Sequence, residues 1–390
     1  MEFISGNRIR LLENGIGFFP ALVEAIDAAR EEVHLETYIF ADDIMGQAVT
    51  AALIGAASRG VVVRVLVDGF GTPNFLEGLG HALIAGGVQV MVYRPEVARL
   101  RFRRNRLRRL HRKLAVVDGS LAFVGGINIV DDWDNLERAA QVPPRYDYAV
   151  ALEGPLVGQV HRAVHHLWRL VRWSQLGHRI PAAGPDGYMP QRAGNTVCAF
   201  VIRDNLRHRR DIEDAYLNAI QAAREDILIA NAYFLPGLRF RHALMEAARR
   251  GVRVTVLVQG RVEYLLQHFA TRALYAKLLA AGIHIHEYHR SFLHAKVAVI
   301  DGRWATVGSS NIDPFSLLLA REANLVAMDE SFATALRSSV EKAIREGANA
   351  VAPDALEHQS WWQRLSGSVA YFLVRMAVGM TRYGGVDYRE

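Results

Sequence analysis

The chain of 390 residues is 51% hydrophobic and carries a net charge of +6, from 46 basic and 40 acidic side chains. This length and composition allow a large buried core, and they favour two domains or one duplicated domain. The single cysteine, Cys198, excludes an internal disulfide and fits a reducing compartment. The first residues contain no apolar signal core, so we do not expect secretion.

Helices and strands alternate along the first part of the chain. Amphipathic helices run into strands over residues 22–38 and 51–68, and a third helix is followed by a strand at 88–93. The segment 61–67 is almost continuously apolar, which is typical of an interior strand. This alternation predicts βαβ units, an α/β fold class and a mixed, largely parallel sheet.

An arginine-rich segment follows at residues 99–109, where seven of eleven positions are arginine, interleaved with Leu and Phe. The first half of the chain is eight residues longer here than the second half. Basic side chains beside apolar ones suit anionic lipid headgroups at an interface. They would equally suit the phosphates of a nucleic acid, and a plain solvated loop is a third interpretation. We favour lipid and expect six residues to contact the membrane: Arg101, Arg103, Arg104, Arg106, Arg108 and Arg109.

A polar motif of fixed spacing then occurs twice. The first copy consists of His111, Lys113, Asp118, Gly125-Gly126 and Asn128, and the second of His294, Lys296, Asp301, Gly308-Ser309 and Asn311. Each position of the second copy lies 183 residues after its counterpart (294 − 111 = 183). Five matched positions without slippage indicate a duplicated catalytic element.

The residue types of this motif suit a phosphodiester. Alternate strand residues share a face, so the His and Lys of each copy project together. The Asp-Gly pair predicts a turn, after which the chain brings the Asn back near the His. The cations and amides would hold the non-bridging oxygens, while one His attacks phosphorus and the other protonates the leaving oxygen. This set already does the work of a divalent ion, so we expect no metal and no other cofactor.

The helix–strand pattern of the first part returns over residues 217–233, 243–259 and 283–288. We predict an N-terminal half at 1–176, a Pro/Gly-rich linker at 177–195, a C-terminal half at 196–350 and an amphipathic tail at 351–390. The tail contains Trp361 and Trp362, and its apolar run is too short between charges to span a bilayer. It favours a helix lying in the membrane interface, as does the segment 160–173, with core packing as the alternative for both.

Two other groups of polar residues are interpreted as structural. His284 and His286 share a strand face, but no cysteine or well-spaced acid completes a metal site. We read them as surface histidines, and the acidic pairs at 42–43 and 131–132 as turn or cap residues.

The repeated H-x-K-x4-D-x6-G-[GS]-x-N motif resembles the phospholipase D superfamily. The segments 28–38, 153–155, 231–237 and 305–314 resemble its bacterial cardiolipin synthase branch, particularly the short B-type members, and the resemblance covers nearly all of the chain. It implies two pseudo-twofold-related α-β-α halves that bring both motifs into one cleft.

The resemblance also implies roles for individual residues. The catalytic element would be His111, Lys113, Asp118, His294, Lys296 and Asp301, with Asn128 and Asn311 binding the substrate phosphate. The motif aspartates lie at a turn, where we expect them to brace the site rather than do chemistry. Each catalytic His needs an acceptor that fixes its tautomer, and the family pattern points to Asp147 in the first half and Glu322 in the second. By the superfamily's usual division, His111 would be the nucleophile and His294 the acid.

The activity implied is that of a phosphatidyltransferase, which moves a phosphatidyl group from one phosphatidylglycerol to another, or to a related alcohol, through a covalent phosphohistidine. The alternatives are a phosphodiesterase or nuclease that uses water, and a non-catalytic membrane-binding module. The expected partners are anionic phospholipids, namely phosphatidylglycerol and cardiolipin, with no nucleic acid. The expected location is the cytoplasmic face of the bacterial membrane, as a peripheral protein.

Overall fold

The computed structural model describes residues 1–95, 108–133, 143–176, 190–204, 207–262, 265–314 and 320–352, with the single positions 316, 372 and 376. Three predictions fall wholly or largely outside these residues. They concern most of the arginine-rich segment, including Arg101, Arg103, Arg104 and Arg106; most of the linker; and the tail with Trp361 and Trp362.

The first half alternates helices and strands as predicted, and the motif hairpin follows the third helix–strand pair. Its elements are β1 (Ile4–Glu13), α1 (Asn14–Ala28), β2 (Glu32–Thr37), α2 (Ile44–Ser58), β3 (Val62–Asp68), α3 (Leu79–Ala85), β4 (Gln89–Tyr93), β5 (Lys113–Val117), β6 (Leu121–Gly125), β7 (Tyr148–Glu153) and α4 (Val157–Leu176).

The second half repeats this order. Its elements are β8 (Thr196–Arg203), α5 (Asp211–Ala222), β9 (Asp226–Asn231), α6 (Leu238–Arg249), β10 (Arg253–Gln259), α7 (Leu265–Arg272), α8 (Tyr275–Ala280), β11 (His284–Tyr288), β12 (Lys296–Ile300), β13 (Trp304–Gly308), β14 (Glu322–Met328), α9 (Glu330–Gly347) and β15 (Ala348–Ala350).

The fifteen strands form one mixed sheet in the order β15-β11-β10-β9-β12-β13-β14-β8-β1-β7-β6-β5-β2-β3-β4. Strands β3 and β10 lie in its interior, as their apolar sequences predict. The α/β class is confirmed, but a largely parallel sheet is wrong. Parallel pairing is confined to β2-β3-β4 and β9-β10-β11, and the other neighbouring pairs are antiparallel. The reason is local: strands joined by a tight turn, such as β5 and β6, must run antiparallel.

The two halves share part of their core. The α1–α2 side of the first half and the α5–α6 side of the second each cover a separate apolar cluster. A third cluster combines Leu114 and Val150 of the first half with Val297 and Leu325 of the second. Apolar strand faces from both halves therefore pack together in this cluster.

The helix α4 belongs to this core along one face. Val160, Val164 and Leu167 are buried, whereas Leu170 and Trp173 are exposed. Core packing thus accounts for one side of the segment 160–173. Among the described residues, no helix combines the length and apolar character needed to cross a bilayer.

Candidate active site

The two motif histidines lie just before the equivalent strands β5 and β12, and each is attached to the opposite half. The backbone N–H of His111 donates to the carbonyl of Arg321 over 3.0 Å, and that of His294 donates to the carbonyl of Tyr146 over 2.8 Å. Isolated bridges pair Leu110 with Arg321, and Tyr146 with Leu293. The histidines are therefore fixed where the halves meet.

Each histidine also contacts the acid of the other half. His111 Nδ1 lies 2.9 Å from Glu322 Oε1, and His294 Nδ1 lies 2.6 Å from Asp147 Oδ2. An ionised carboxylate only accepts hydrogen bonds, so each Nδ1 donates and each Nε2 keeps its lone pair. Sequence matching identified both acids, whereas the exchange between halves emerges only from the structure.

The motif lysines point back at their own histidines. Lys113 Nζ donates to the carbonyl of His111 over 2.6 Å, and Lys296 Nζ donates to the carbonyl of His294. Lys296 is fully buried, with Nζ 3.9 Å from Asp147 Oδ2. Each ammonium has three N–H groups, so a single carbonyl contact does not use all of its donors.

The motif asparagines lie in the same region but are held differently. Asn128 Oδ1 accepts from the backbone N–H of Ile39 over 3.2 Å, which leaves its amide N–H groups as donors. Asn311 is buried, its Nδ2 lies 3.5 Å from Ser316 Oγ, and its Oδ1 has no hydrogen-bond partner among the described residues.

The pKa shifts of the site residues follow mainly from their burial. Burial lowers the pKa of Lys113 to about 7. The negative charge of Glu322 opposes this shift, and the positive charge of Lys296 adds to it. Burial also lowers the pKa of His111 and, more strongly, that of His294, which Lys296 lowers further. Burial raises the pKa of Asp147 to about 6 although Lys296 opposes it. An anion bound among these side chains would relieve their mutual repulsion.

The motif aspartates do not join this cluster. Asp118 and Asp301 follow the far ends of β5 and β12, with φ of 47° and 49°. Asp118 accepts backbone N–H groups from Arg30, Glu31 and Glu32, and Asp301 accepts those of Arg224, Glu225 and Asp226. Grouping them with the catalytic residues is therefore corrected, because they brace the entry to β2 and β9, as their position at a turn suggests.

The described end of the arginine-rich segment packs against the protein. The Arg109 carbonyl accepts from Arg321 N over 2.7 Å, and its guanidinium lies 4.3 Å from the centre of the Phe70 ring. Arg108 is likewise only partly exposed.

The acidic pairs at 42–43 and 131–132 serve as cap and turn residues, as predicted. Asp43 caps α2 by accepting a hydrogen bond from Gly46 N, and Asp132 accepts one from Gly15 N over 2.6 Å.

Two contributors to the site were assigned no role from the sequence. The Tyr38 ring lies 4.9 Å from the His111 ring, and its centre lies 5.4 Å from Lys113 Nζ. Ser309 Oγ donates to Glu322 Oε2 over 2.6 Å. Both residues lie in the segments that resemble the cardiolipin synthase branch. The position of Tyr38 just after a buried strand is the sequence signal that could have identified it as a site residue.

Comparison with known proteins agrees with this geometry. The family model described as "Cardiolipin synthase, PLD-like domain" matches residues 22–138 and 216–344. Cardiolipin synthase B of Escherichia coli (strain K12) is 39% identical over 95% of this chain and 88% of its own, and that of Salmonella typhi is 40% identical with the same coverage. Cardiolipin synthase A of Erwinia tasmaniensis is 32% identical over 95% of this chain and 75% of its own.

Solved structures show the same fold at low identity. Phosphatidylserine synthase from Haemophilus influenzae Rd KW20 superposes with a TM-score of 0.71 at 13% identity, covering 96% of this chain and 94% of its own. Polyphosphate kinase from Porphyromonas gingivalis gives 0.58 at 15% identity, covering 96% of this chain and 53% of its own. With two motif copies at one site and similarity to its relatives over 95% of its residues, the chain belongs to the cardiolipin synthase family of phospholipase D-like proteins.

Proposed function

We propose that the protein transfers a phosphatidyl group from one phosphatidylglycerol to the terminal hydroxyl of a second, releasing glycerol and forming cardiolipin. The observation that carries this proposal is the pair of histidines, each oriented by the acid of the opposite half. Similarity to cardiolipin synthases over nearly the whole chain supports the choice of substrate.

In the first step, His111 Nε2 attacks phosphorus, forming a P–N bond as the P–O bond to glycerol breaks. His294 Nε2 gives its proton to the departing oxygen. His294 is a weak base in the free protein because burial and Lys296 lower its pKa. The bound phosphate offsets the charge of the lysines and raises that pKa, so His294 holds a proton when substrate is present.

In the second step, His294 takes the proton of the acceptor hydroxyl as its oxygen attacks phosphorus. The P–N bond breaks and His111 is regenerated. Lys113, Lys296 and the two motif asparagines hold the non-bridging oxygens throughout, stabilising the charge that develops in each transition state. Asp147 and Glu322 keep the two imidazoles in the required tautomer.

The test is to incubate the pure protein with phosphatidylglycerol vesicles and to identify the products by mass analysis. We expect cardiolipin and glycerol in equal amounts. Phosphatidic acid as the main product would identify the hydrolytic alternative, in which water takes the place of the acceptor.

We further propose that the protein acts on anionic phospholipid as a peripheral protein at the cytoplasmic membrane surface, without nucleic acid. Arg108 and Arg109 pack against the protein, so the remaining arginines are the ones to test. Replacing Arg101, Arg103, Arg104 and Arg106 with Gln should weaken binding to anionic vesicles, most visibly at low salt, because each cation near the surface contributes about 1 kcal/mol. Unchanged vesicle binding together with lost affinity for DNA would contradict the lipid assignment and favour a nuclease.

We also propose the division into halves at 1–176 and 196–350, joined at 177–195 and followed by an interfacial tail at 351–390. The repeated order of elements supports it. Deletion of the tail should reduce salt-resistant vesicle binding, whereas the arginine variant loses the salt-sensitive part.

A further inference from the structure

A second polar cluster lies beneath α4, away from the active site. Glu32 is the first residue of β2, and His161 and His165 are one helical turn apart on α4, so the two imidazoles share a face. One ligand atom from each of the three residues lies within 4.8 Å of the other two. Carboxylate and imidazole groups converging in this way form a ligand set typical of transition metals.

Of the two distances to Glu32, that of His165 suits a shared small metal ion, whereas His161 makes a direct hydrogen bond that it would exchange for the metal. His165 Nε2 lies 3.3 Å from Glu32 Oε2, and His161 Nε2 contacts Glu32 Oε1 directly. In a tetrahedral zinc site with bonds of about 2.0–2.1 Å, neighbouring ligand atoms are about 3.3 Å apart. Only 4% of the His161 side chain and 14% of the His165 side chain are exposed, so both imidazoles are largely shielded from bulk solvent.

Neighbouring residues support the ligands from outside. Arg64 Nη1 lies 3.3 Å from Glu32 Oε2 and 2.8 Å from His34 Nε2. The guanidinium thus holds Oε2, which His165 also approaches, while Oε1 faces His161. His34 has its Nε2 occupied by Arg64, and its ring packs against His165 at 4.2 Å between centroids. Outer partners of this kind fix the orientation of metal ligands.

The second half provides an internal control. The buried positions of α4 and α9 correspond with an offset of 176, as Val160 with Leu336 shows, so Arg337 and Glu341 occupy the places of His161 and His165. Arg337 makes an ion pair with Asp226, the counterpart of Glu32, at 2.5 Å. In the second half, the Arg337 guanidinium neutralises the strand carboxylate. In the first half, the two imidazoles of His161 and His165 take its place beside Glu32.

We propose that Glu32, His161 and His165 bind one Zn²⁺, or a similar first-row transition metal ion, with water completing the coordination. The ion ties α4 to β2. It lies roughly 20 Å along the strand from Tyr38 and the active site, at about 3.3 Å per residue, so its role is structural and the transfer chemistry does not use it. No local sequence pattern points to these ligands, because Glu32 and His161 lie 129 positions apart in the chain.

The test uses the full chain, stripped with EDTA and freed of chelator, then titrated with ZnCl₂ by calorimetry and assayed for zinc after desalting. We expect one zinc per chain, a tetrahedral Co²⁺ absorption spectrum on substitution, and a melting temperature that rises with Zn²⁺. The double variant His161→Gln/His165→Gln keeps hydrogen-bond donors near Glu32 but should lose all three properties.

Two matched controls should retain zinc at the level of the parent. Arg337→Gln alters the equivalent place in the second half, and His284→Gln/His286→Gln removes the strand histidines. No zinc retained by the parent, equal retention by the His161/His165 variant, or loss in the His284/His286 variant would each overturn the proposal. If the His161/His165 variant fails to fold, the zinc content and Co²⁺ spectrum of the parent still decide the question.

Discussion

The two halves differ least at the phosphate site and most beneath their long helices. At the site, each half supplies a His, a Lys bonded to that histidine's carbonyl, and an acid for the opposite histidine. Beneath the helices, the first half has Glu32 with two histidines, and the second has Asp226 with Arg337. A single phosphate needs equivalent groups on both sides, whereas the packing behind each half is under no such constraint.

A smaller difference lies within the site itself. The first half pairs Asp147 with Gly126, and the second pairs the longer Glu322 with Ser309. A Cβ atom at position 126 would come within 2.5 Å of Asp147 Oδ1, whereas Ser309 Oγ donates to Glu322. The acid and its neighbour therefore form a matched unit in each half.

The largest expected effect comes from removing either histidine. His111→Ala or His294→Ala should each abolish turnover while the fold remains intact, because the nucleophile and the acid are different residues. Cardiolipin formation and far-UV circular dichroism would be measured together, with His284→Ala as the control. More than a few per cent of activity in either variant would contradict a shared site.

The exchanged acids give the next effect. Glu322→Gln and Asp147→Asn should each lower kcat by on the order of 10²–10⁴-fold, since the tautomer of the partnered histidine is no longer enforced. A substrate whose leaving group needs no proton would distinguish the roles of the two acids. With this substrate, Asp147→Asn should keep an initial burst of product, because only the proton donor His294 is impaired. Glu322→Gln should lose the burst, because the nucleophile His111 is impaired. The opposite pattern would reverse the assignment of nucleophile and acid.

An exchange of the small residues tests the matched units. Gly126→Ser should impair turnover more than Ser309→Gly, because the first places atoms against the Asp147 carboxylate and the second only removes a hydrogen bond. Loss of a bond to a charged group costs roughly 1.5–3 kcal/mol, or about 10–100-fold in rate. Equal effects of the two substitutions on kcat would show that either acid tolerates either Gly or Ser as its neighbour.

The smallest effect is expected from chelation. EDTA should leave the transfer rate unchanged at a temperature well below unfolding, because Lys113 and Lys296 already supply the positive charge that a metal would bring. Activity lost in EDTA and restored by one specific ion would place a metal in the reaction itself. A lowered melting temperature with an unchanged rate agrees with a structural ion beneath α4.

The sequence by itself determined the features that depend on local order. Asp43 caps α2, an Asp-Gly turn follows each motif strand, and the repeated spacing predicted a duplicated catalytic element. These succeed because turns, caps and strand faces are set by neighbouring residues. The two acids were found by a different route, through their place in the family pattern.

The tertiary structure decided which groups meet across the chain. His111 meets Glu322 211 positions away, and His161 meets Glu32 129 positions away. The local sequence pattern does not show whether Asp147 contacts His111 of its own half or His294 of the opposite half. The choice follows from apolar strand faces of both halves packing against one another, which brings Tyr146 beside Leu293 and Leu110 beside Arg321. Burial of apolar area drives that packing but does not by itself specify which histidine meets which acid. Only the assembled fold therefore shows these pairs.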